Sequence, residues 1–176
     1  FYDRREIKDV LSYLRLLVNP VDDITLRRIV NTPRRGIGDT SLERLQVFAQ
    51  QNALSLYTAL GHLNEVPNLG GRAQKSLGEF ATLLNRLIAA KETLDLPELC
   101  NEVLEGSGYR QMLREENTPE AEAREQNLDQ LLAEMTEYFD THEEPSLETY
   151  LEEKSLMSSA DENGNDGNAI TLMTLH

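Results

Sequence analysis

The chain lacks most of what catalysis, export and membrane insertion require. Its 176 residues contain one cysteine, Cys100, and no tryptophan, and the three histidines, 62, 142 and 176, lie far apart. A lone cysteine excludes an internal disulfide, and scattered histidines without clustered partners give no support to a metal site. No apolar run approaches the length of roughly 18 residues that spans a bilayer, and no basic-then-apolar leader is present. The expected setting is cytoplasmic. Basic charge is scarce as well: 17 Lys and Arg stand against 31 Asp and Glu, a formal charge of −14. A far field of this sign repels phosphate and argues against general nucleic-acid coating or binding to anionic membranes. Exposed charges are screened within about 8 to 10 Å at cellular ionic strength, so local distribution matters more than the total.

What is present is helical. Ile7, Val10, Leu11, Leu14, Leu17 and Val18 repeat at i, i+3, i+4, i+7, and Asn19-Pro20 ends that pattern. A short helix is predicted over 25–31. Thr40-x-x-Glu43 reads as a capping box that starts another helix ahead of Leu42, Leu45 and Phe48. Further stripes run through Leu77, Phe80, Leu84, Leu87 and Ile88, through Leu96, Leu99, Cys100, Val103 and Leu104, and through Leu128, Leu131, Leu132, Met135 and Phe139. Residues 158–168, S-S-A-D-E-N-G-N-D-G-N, have nothing to bury and read as a loop. Only 169–175 alternates like a strand. The predicted fold is all-α: an irregular multi-helix domain with a helix-hairpin-helix-like turn and one short C-terminal strand.

Charge is segregated along the chain. From Ile24 to Gly38 there are four arginines, 27, 28, 34 and 35, and no acid, whereas Thr118 to Glu153 holds twelve acids against Arg124 alone. The basic stretch runs into T-P-R-R-G-I-G-D-T-S, residues 32–41. A glycine-containing turn between helices can aim consecutive backbone N–H groups outward, and the following helix adds its positive end, an arrangement suited to an anion. Gly36 and Gly38 accept positive φ and let phosphate approach the backbone, while Ile37 packs inward. Arg34 and Arg35 reach neighbouring phosphates, and Thr40 and Ser41 offer hydroxyls. None of these groups reads base edges, so the expected activity is a sequence-independent grip on a nucleic-acid backbone. The competing reading is a plain turn with solvated arginines.

Three blocks carry a family resemblance: F-Y-D-R-R-E-I-K-D-V-L-S-Y-L-R-L-L at the start, V-N-T-P-R-R-G-I-G at 30–38, and I-T-L-M-T-L-H at the end. Together they closely resemble the UvrD/PcrA/Rep family of superfamily 1 DNA helicases. The resemblance implies the 2B subdomain, an α-helical insertion in the second RecA-like motor domain, 2A. On that basis 1–19 is a flank from 2A, 20–168 is 2B, and 169–176 is a 2A strand that begins helicase motif V. It implies ATP-driven 3′→5′ unwinding in DNA repair or replication by a longer parent chain, with ATP and Mg²⁺ as the parent's cofactors. It also implies that the Gly36-Ile37-Gly38 turn contacts duplex DNA ahead of the fork. Arg4, Glu6, Lys8 and Asp9 match the segment called IVa, and Thr174 to His176 match the start of motif V. The Walker A pattern and the D-E-x-x of Walker B are absent from these 176 residues, so this stretch is expected to have no ATPase activity alone. Implied partners are duplex DNA, the 1A, 1B and 2A domains, and repair or transcription proteins. A nuclease-associated subunit of the RecB or AddA kind fits the G-I-G block less well.

Other constellations read as structural. Glu120, Glu122, Glu125, Glu143 and Glu144 are expected on solvated faces, with a protein-facing or autoinhibitory surface as the rival role. Cys100 is expected in the core, and Tyr109, Tyr138 and Tyr150 are expected to pack rather than stack on bases. If the chain is a fragment, Ile7, Val10, Leu11 and Leu14 would lose a cover supplied by 2A, which predicts self-association, non-native pairing of the ends, or disorder there.

Overall fold

The computed structural model of the chain describes residues 1–157, and these are all-helical. The expected loop at 158–168 and the expected strand with Thr174 and His176 lie outside the described residues. Helix α1 spans Arg5–Val18, α2 Asp23–Ile29, α3 Asp39–Gln51 and α4 Leu56–Ala59, which runs into a 3₁₀ turn, Leu60–Glu65. The second half comprises α5 (Gly71–Lys91), α6 (Leu96–Gly106), α7 (Tyr109–Glu116) and α8 (Pro119–Thr141), followed by a helical stretch at 147–157.

Helix α1 is the axis of the fold, and its residues explain why. Its apolar positions recur so closely that most of its circumference is buried, with Ile7, Val10, Leu14 and Leu16 at 0% exposure. Each such side chain contributes about 1.5 to 3 kcal/mol on leaving water. Helix α2 packs along α1, and α5, α6 and α8 close round the rest of it. The expectation that Ile7, Val10, Leu11 and Leu14 need an external cover is therefore corrected. The chain's own helices supply it, and the argument for self-association at that face falls.

Polar residues on α1 are buried with matched partners. Glu6, 5% exposed, accepts from Asn127 Nδ2 of α8 at 2.8 Å. Asp9, 3% exposed, pairs with Arg28 Nε of α2 at 3.1 Å and accepts from the Tyr109 hydroxyl of α7 at 2.7 Å. These two carboxylates bolt α1 to three other helices, since a buried acceptor left unpaired costs about 1 to 3 kcal/mol. Burial and the bond to Asp9 push the Tyr109 phenol well above its usual range.

Several helix starts follow their local chemistry. Asp22 caps α2 by accepting from Thr25 N at 3.2 Å, Asp95 caps α6 by accepting from Glu98 N at 2.9 Å, and Thr118 caps α8 by accepting from Ala121 N at 3.0 Å. Helix α3 does not begin as its sequence suggests. Its N-cap is Gly38, the helix includes Asp39, and Thr40 makes no capping bond, so the Thr40-x-x-Glu43 box is corrected. Short α4 and α7 were not legible as stripes. Gly108, at φ +82°, turns the chain between α6 and α7 in the left-handed region that glycine occupies without strain. Cys100 is fully buried in α6, and burial pushes its thiol up to about 12.

Candidate nucleic-acid interface

The candidate site is the bend between α2 and α3. Leu26, Ile29 and Val30 anchor its incoming arm in the core, and Ile37, 5% exposed, anchors its outgoing arm. The inward packing expected of Ile37 is observed. Between these anchors Gly36 adopts φ +75°, as its glycine permits, whereas Gly38 has an ordinary φ of −80°. At both glycines a Cβ would meet nothing within 4 Å, so the backbone there is open to close approach.

The amides of the bend are divided rather than all directed outward. Asn31 Oδ1 accepts from Arg35 N at 2.6 Å and from Ile37 N at 3.3 Å. The amides of Gly36, Gly38, Asp39 and Thr40 have no acceptor among the described residues, and all four residues are exposed. This corrects the expectation of an uninterrupted row of outward N–H groups. The available donors alternate with internally held ones and continue into the first turn of α3, where the helix dipole favours an anion.

The two adjacent arginines have opposite fates. Arg35 folds inward, donating from Nη1 to the carbonyls of Ile29, Val30 and Pro33 at 3.0, 3.1 and 3.2 Å, and from Nη2 to the Tyr13 hydroxyl at 2.6 Å and Ser107 O at 3.3 Å. Its guanidinium also lies 5.1 Å from the centre of the Phe80 ring. Tyr13 in turn donates to Thr32 O. Burial raises the Tyr13 hydroxyl above its ordinary value, with the neighbouring Arg35 charge pulling the other way. Both terminal nitrogens of Arg35 are thus engaged in holding the bend, an arrangement that does not favour its expected reach to phosphate. Arg34 is exposed and has no carboxylate partner among the described residues, as is Arg27. Thr40 is exposed and Ser41 half-buried beside them. Asp39, also exposed, sets one negative charge at the start of α3.

The opening block contributes in two ways. Glu6 and Asp9 are structural, as described, while Arg4 is the exposed N-cap of α1 and Lys8 is exposed on its flank. Lys8, Arg15, Arg28 and Lys154 line a cleft of about 370 Å³ with Tyr2 and Ile24. Arg28 is held by Asp9, and Lys154 pairs with Glu134 at 2.5 Å, leaving Lys8 and Arg15 without carboxylate partners among the described residues. The sequence reading did not single out Arg15. Its signal was the i+7 spacing from Lys8, which puts the two cations on one face of α1.

The acidic region has a different character. Arg110, 6% exposed on α7, is ringed by Glu105 at 3.3 Å, Glu125 at 3.4 Å and Asp129 at 2.8 Å, and Glu125 also meets Arg114 at 3.0 Å. Burial alone would lower the Arg110 pKa, but the surrounding carboxylates raise it. Glu125 is therefore half-buried in an ion-pair network rather than on a solvated face, whereas Glu120, Glu122, Glu143 and Glu144 are exposed. Tyr138 and Tyr150 are buried edge to face, their ring centres 5.2 Å apart. No group of three metal-ligating side chains exists among the described residues, and no helix there is long and apolar enough to cross a membrane.

The family described as UvrD-like helicase C-terminal domain matches residues 1–66, which include α1, the bend and α3. The ATP-dependent DNA helicase PcrA of Staphylococcus aureus is 42% identical over 178 aligned residues, and that of Staphylococcus epidermidis is 41% identical. Both alignments cover 100% of this chain. This chain is similar to a region of UvrD/PcrA-type helicases. It spans 24% of the length of these relatives. The similarity extends past α3 through the acidic helices.

Proposed function

We propose that this chain is the duplex-binding accessory region, the 2B subdomain, of an ATP-dependent UvrD/PcrA-type DNA helicase. It positions DNA and the motor relative to each other and does no chemistry of its own. The observation that carries the reading is the bend at 31–40. Amides of Gly36, Gly38, Asp39 and Thr40 without an acceptor among the described residues lie in the same bend as Arg34, which has no carboxylate partner among them, and a Cβ at either glycine would meet nothing within 4 Å. Such a surface takes up phosphate oxygens through main-chain N–H groups and a guanidinium, contacts that fix position without reading sequence. In this reading α2, the bend and α3 act as a helix-hairpin-helix-like grip, with the hydroxyls of Thr40 and Ser41 at its edge and Lys8 and Arg15 extending the positive face along α1.

In the longer protein, residues 1–19 and 169–176 connect to the 2A motor domain, although α1 itself is core to the helical unit. The parent unwinds DNA 3′→5′ in repair or replication in the cytoplasm. ATP and Mg²⁺ are bound by the parent's other domains, and Arg4, Thr174 and His176 belong to its motif segments. The test is a fluorescence-anisotropy titration of a hairpin duplex at two salt concentrations. Weak, sequence-independent binding with a log–log salt slope of roughly −2 to −4 is expected. Absence of binding at low salt would remove the proposal.

A second reading rests on exposed acids. Glu143 and Glu144 face solvent without cationic partners among the described residues, which suits a surface that docks a basic protein partner or gates the motor by its orientation. Charge reversal there would alter partner binding or regulation while leaving the duplex salt slope intact.

A further inference from the structure

We propose that Asn31 is the positioning residue of the bend, and that its being a neutral amide rather than a carboxylate favours anion binding at the Gly36 and Gly38 amides, beside which Asp39 already sets one negative charge. The inference rests on the duplex-backbone reading above. Asn31 sits two residues beyond the end of α2, and its single side-chain oxygen holds the amides of both Arg35 and Ile37, at 2.6 and 3.3 Å. Holding these two inward leaves the intervening Gly36 amide and the following Gly38 amide as the free donors. One oxygen thus sorts the bend into held and available N–H groups.

The chemistry of that oxygen is selective. An aspartate has the same size and would accept the same two bonds, with charge-assisted strength. As a cap or turn acceptor it would serve at least as well as asparagine. It would, however, place a full negative charge under backbone that is meant to receive a phosphate. At a separation of about 5 to 6 Å in a largely aqueous dielectric such a charge weakens anion binding roughly three- to tenfold, and a drier site would weaken it further. Arg35 complements the arrangement, because its guanidinium binds the carbonyls of Ile29, Val30 and Pro33 and so fixes the loop that carries Asn31.

The test compares N31D with the unsubstituted chain. The variant is expected to unfold at a similar temperature, to bind hairpin duplex roughly three- to tenfold more weakly at pH 7.5, and to show a salt slope shallower by about one. The deficit is expected to shrink as salt is raised and screens the new charge, a response that a packing defect would not give. Equal affinity in N31D, or a deficit insensitive to salt, overturns the proposal. If N31D does not fold, amide resonances of the unsubstituted chain decide the matter. Duplex is expected to shift Gly36 and Gly38 more than Arg35 and Ile37, and the reverse pattern overturns the inference. A chain that binds duplex and is weakened by R34A but not by N31D disproves the role of Asn31 alone. A chain that binds no duplex removes the underlying reading as well.

Discussion

The α2–α3 bend and the α7–α8 face each contain an internally bonded arginine, half-buried in the first and buried in the second, yet they solve opposite problems. At the bend, Arg35 is surrounded by neutral oxygens, the carbonyls of Ile29, Val30, Pro33 and Ser107 and the Tyr13 hydroxyl. Its charge is therefore not cancelled, and the bend remains electropositive while being held in shape. At α7, Arg110 is surrounded by Glu105, Glu125 and Asp129, so its charge is more than offset and the face stays acidic. The same side chain is a rigid fork with five donors in both places. What its acceptors are made of decides whether the region is positive or negative outside. The lesson is that the net charge of −14 describes neither surface.

This contrast can be broken most severely at Arg35. R35A removes bonds to four carbonyls and a hydroxyl at one point, and is expected to lower stability by about 3 kcal/mol or more in chemical denaturation, with loss of duplex binding as a consequence. R110M should cost less, about 1 to 3 kcal/mol, because the stranded carboxylates are partly open to water. High salt is expected to recover part of that loss by screening their repulsion, and a salt-independent deficit would show that packing rather than charge is responsible.

R34A sharpens the comparison by separating grip from shape. Stability should change by no more than about 0.5 kcal/mol, while the log–log salt slope of duplex binding becomes shallower by about one. An unchanged slope takes Arg34 out of the site. Reversing Glu143 and Glu144 to lysine is expected to move neither stability, within about 0.5 kcal/mol, nor that slope, and a steeper slope would mean that DNA also reaches the acidic face. The smallest effect concerns Asp22, the cap of α2. Its hydrogen bond from the Thr25 hydroxyl holds its carboxyl below the ordinary value. The small contribution of a depressed carboxyl is present above its unfolded pKa, near 4, and is lost as pH falls through the lower folded value. Replacement by asparagine should remove this acid-range component from the pH profile of unfolding.

The long amphipathic elements were legible because a 3.6-residue repeat over several turns leaves little alternative. Helices α1, α5, α6 and α8 lie on the stripes read from the sequence. Helices α4 and α7 were missed, since 4 and 8 residues carry too few turns for a period to emerge. The start of α3 was misjudged because Thr40-x-x-Glu43 and Gly38 are both acceptable caps locally. At the site, Gly36 and Ile37 behaved as their chemistry suggests, the one at positive φ and the other buried. Arg34 and Arg35 could not be distinguished, because nothing in a doublet says which member faces a cage of carbonyls drawn from residues as distant as Ser107. Asn31 escaped notice for the same reason: an asparagine near a proline is an ordinary turn residue until the two amides that it binds are seen.

By itself, then, the sequence determined an all-helical chain, its separated charges, a glycine bend and the resemblance to a helicase family, because periodicity, composition and turn chemistry act over a few neighbouring residues. Which face of α1 is covered, which arginine holds and which is free, and which amides remain open were decided only by tertiary structure. Those outcomes depend on hydrogen-bond partners brought from 4 to 100 residues away, and a local pattern contains no information about their arrival.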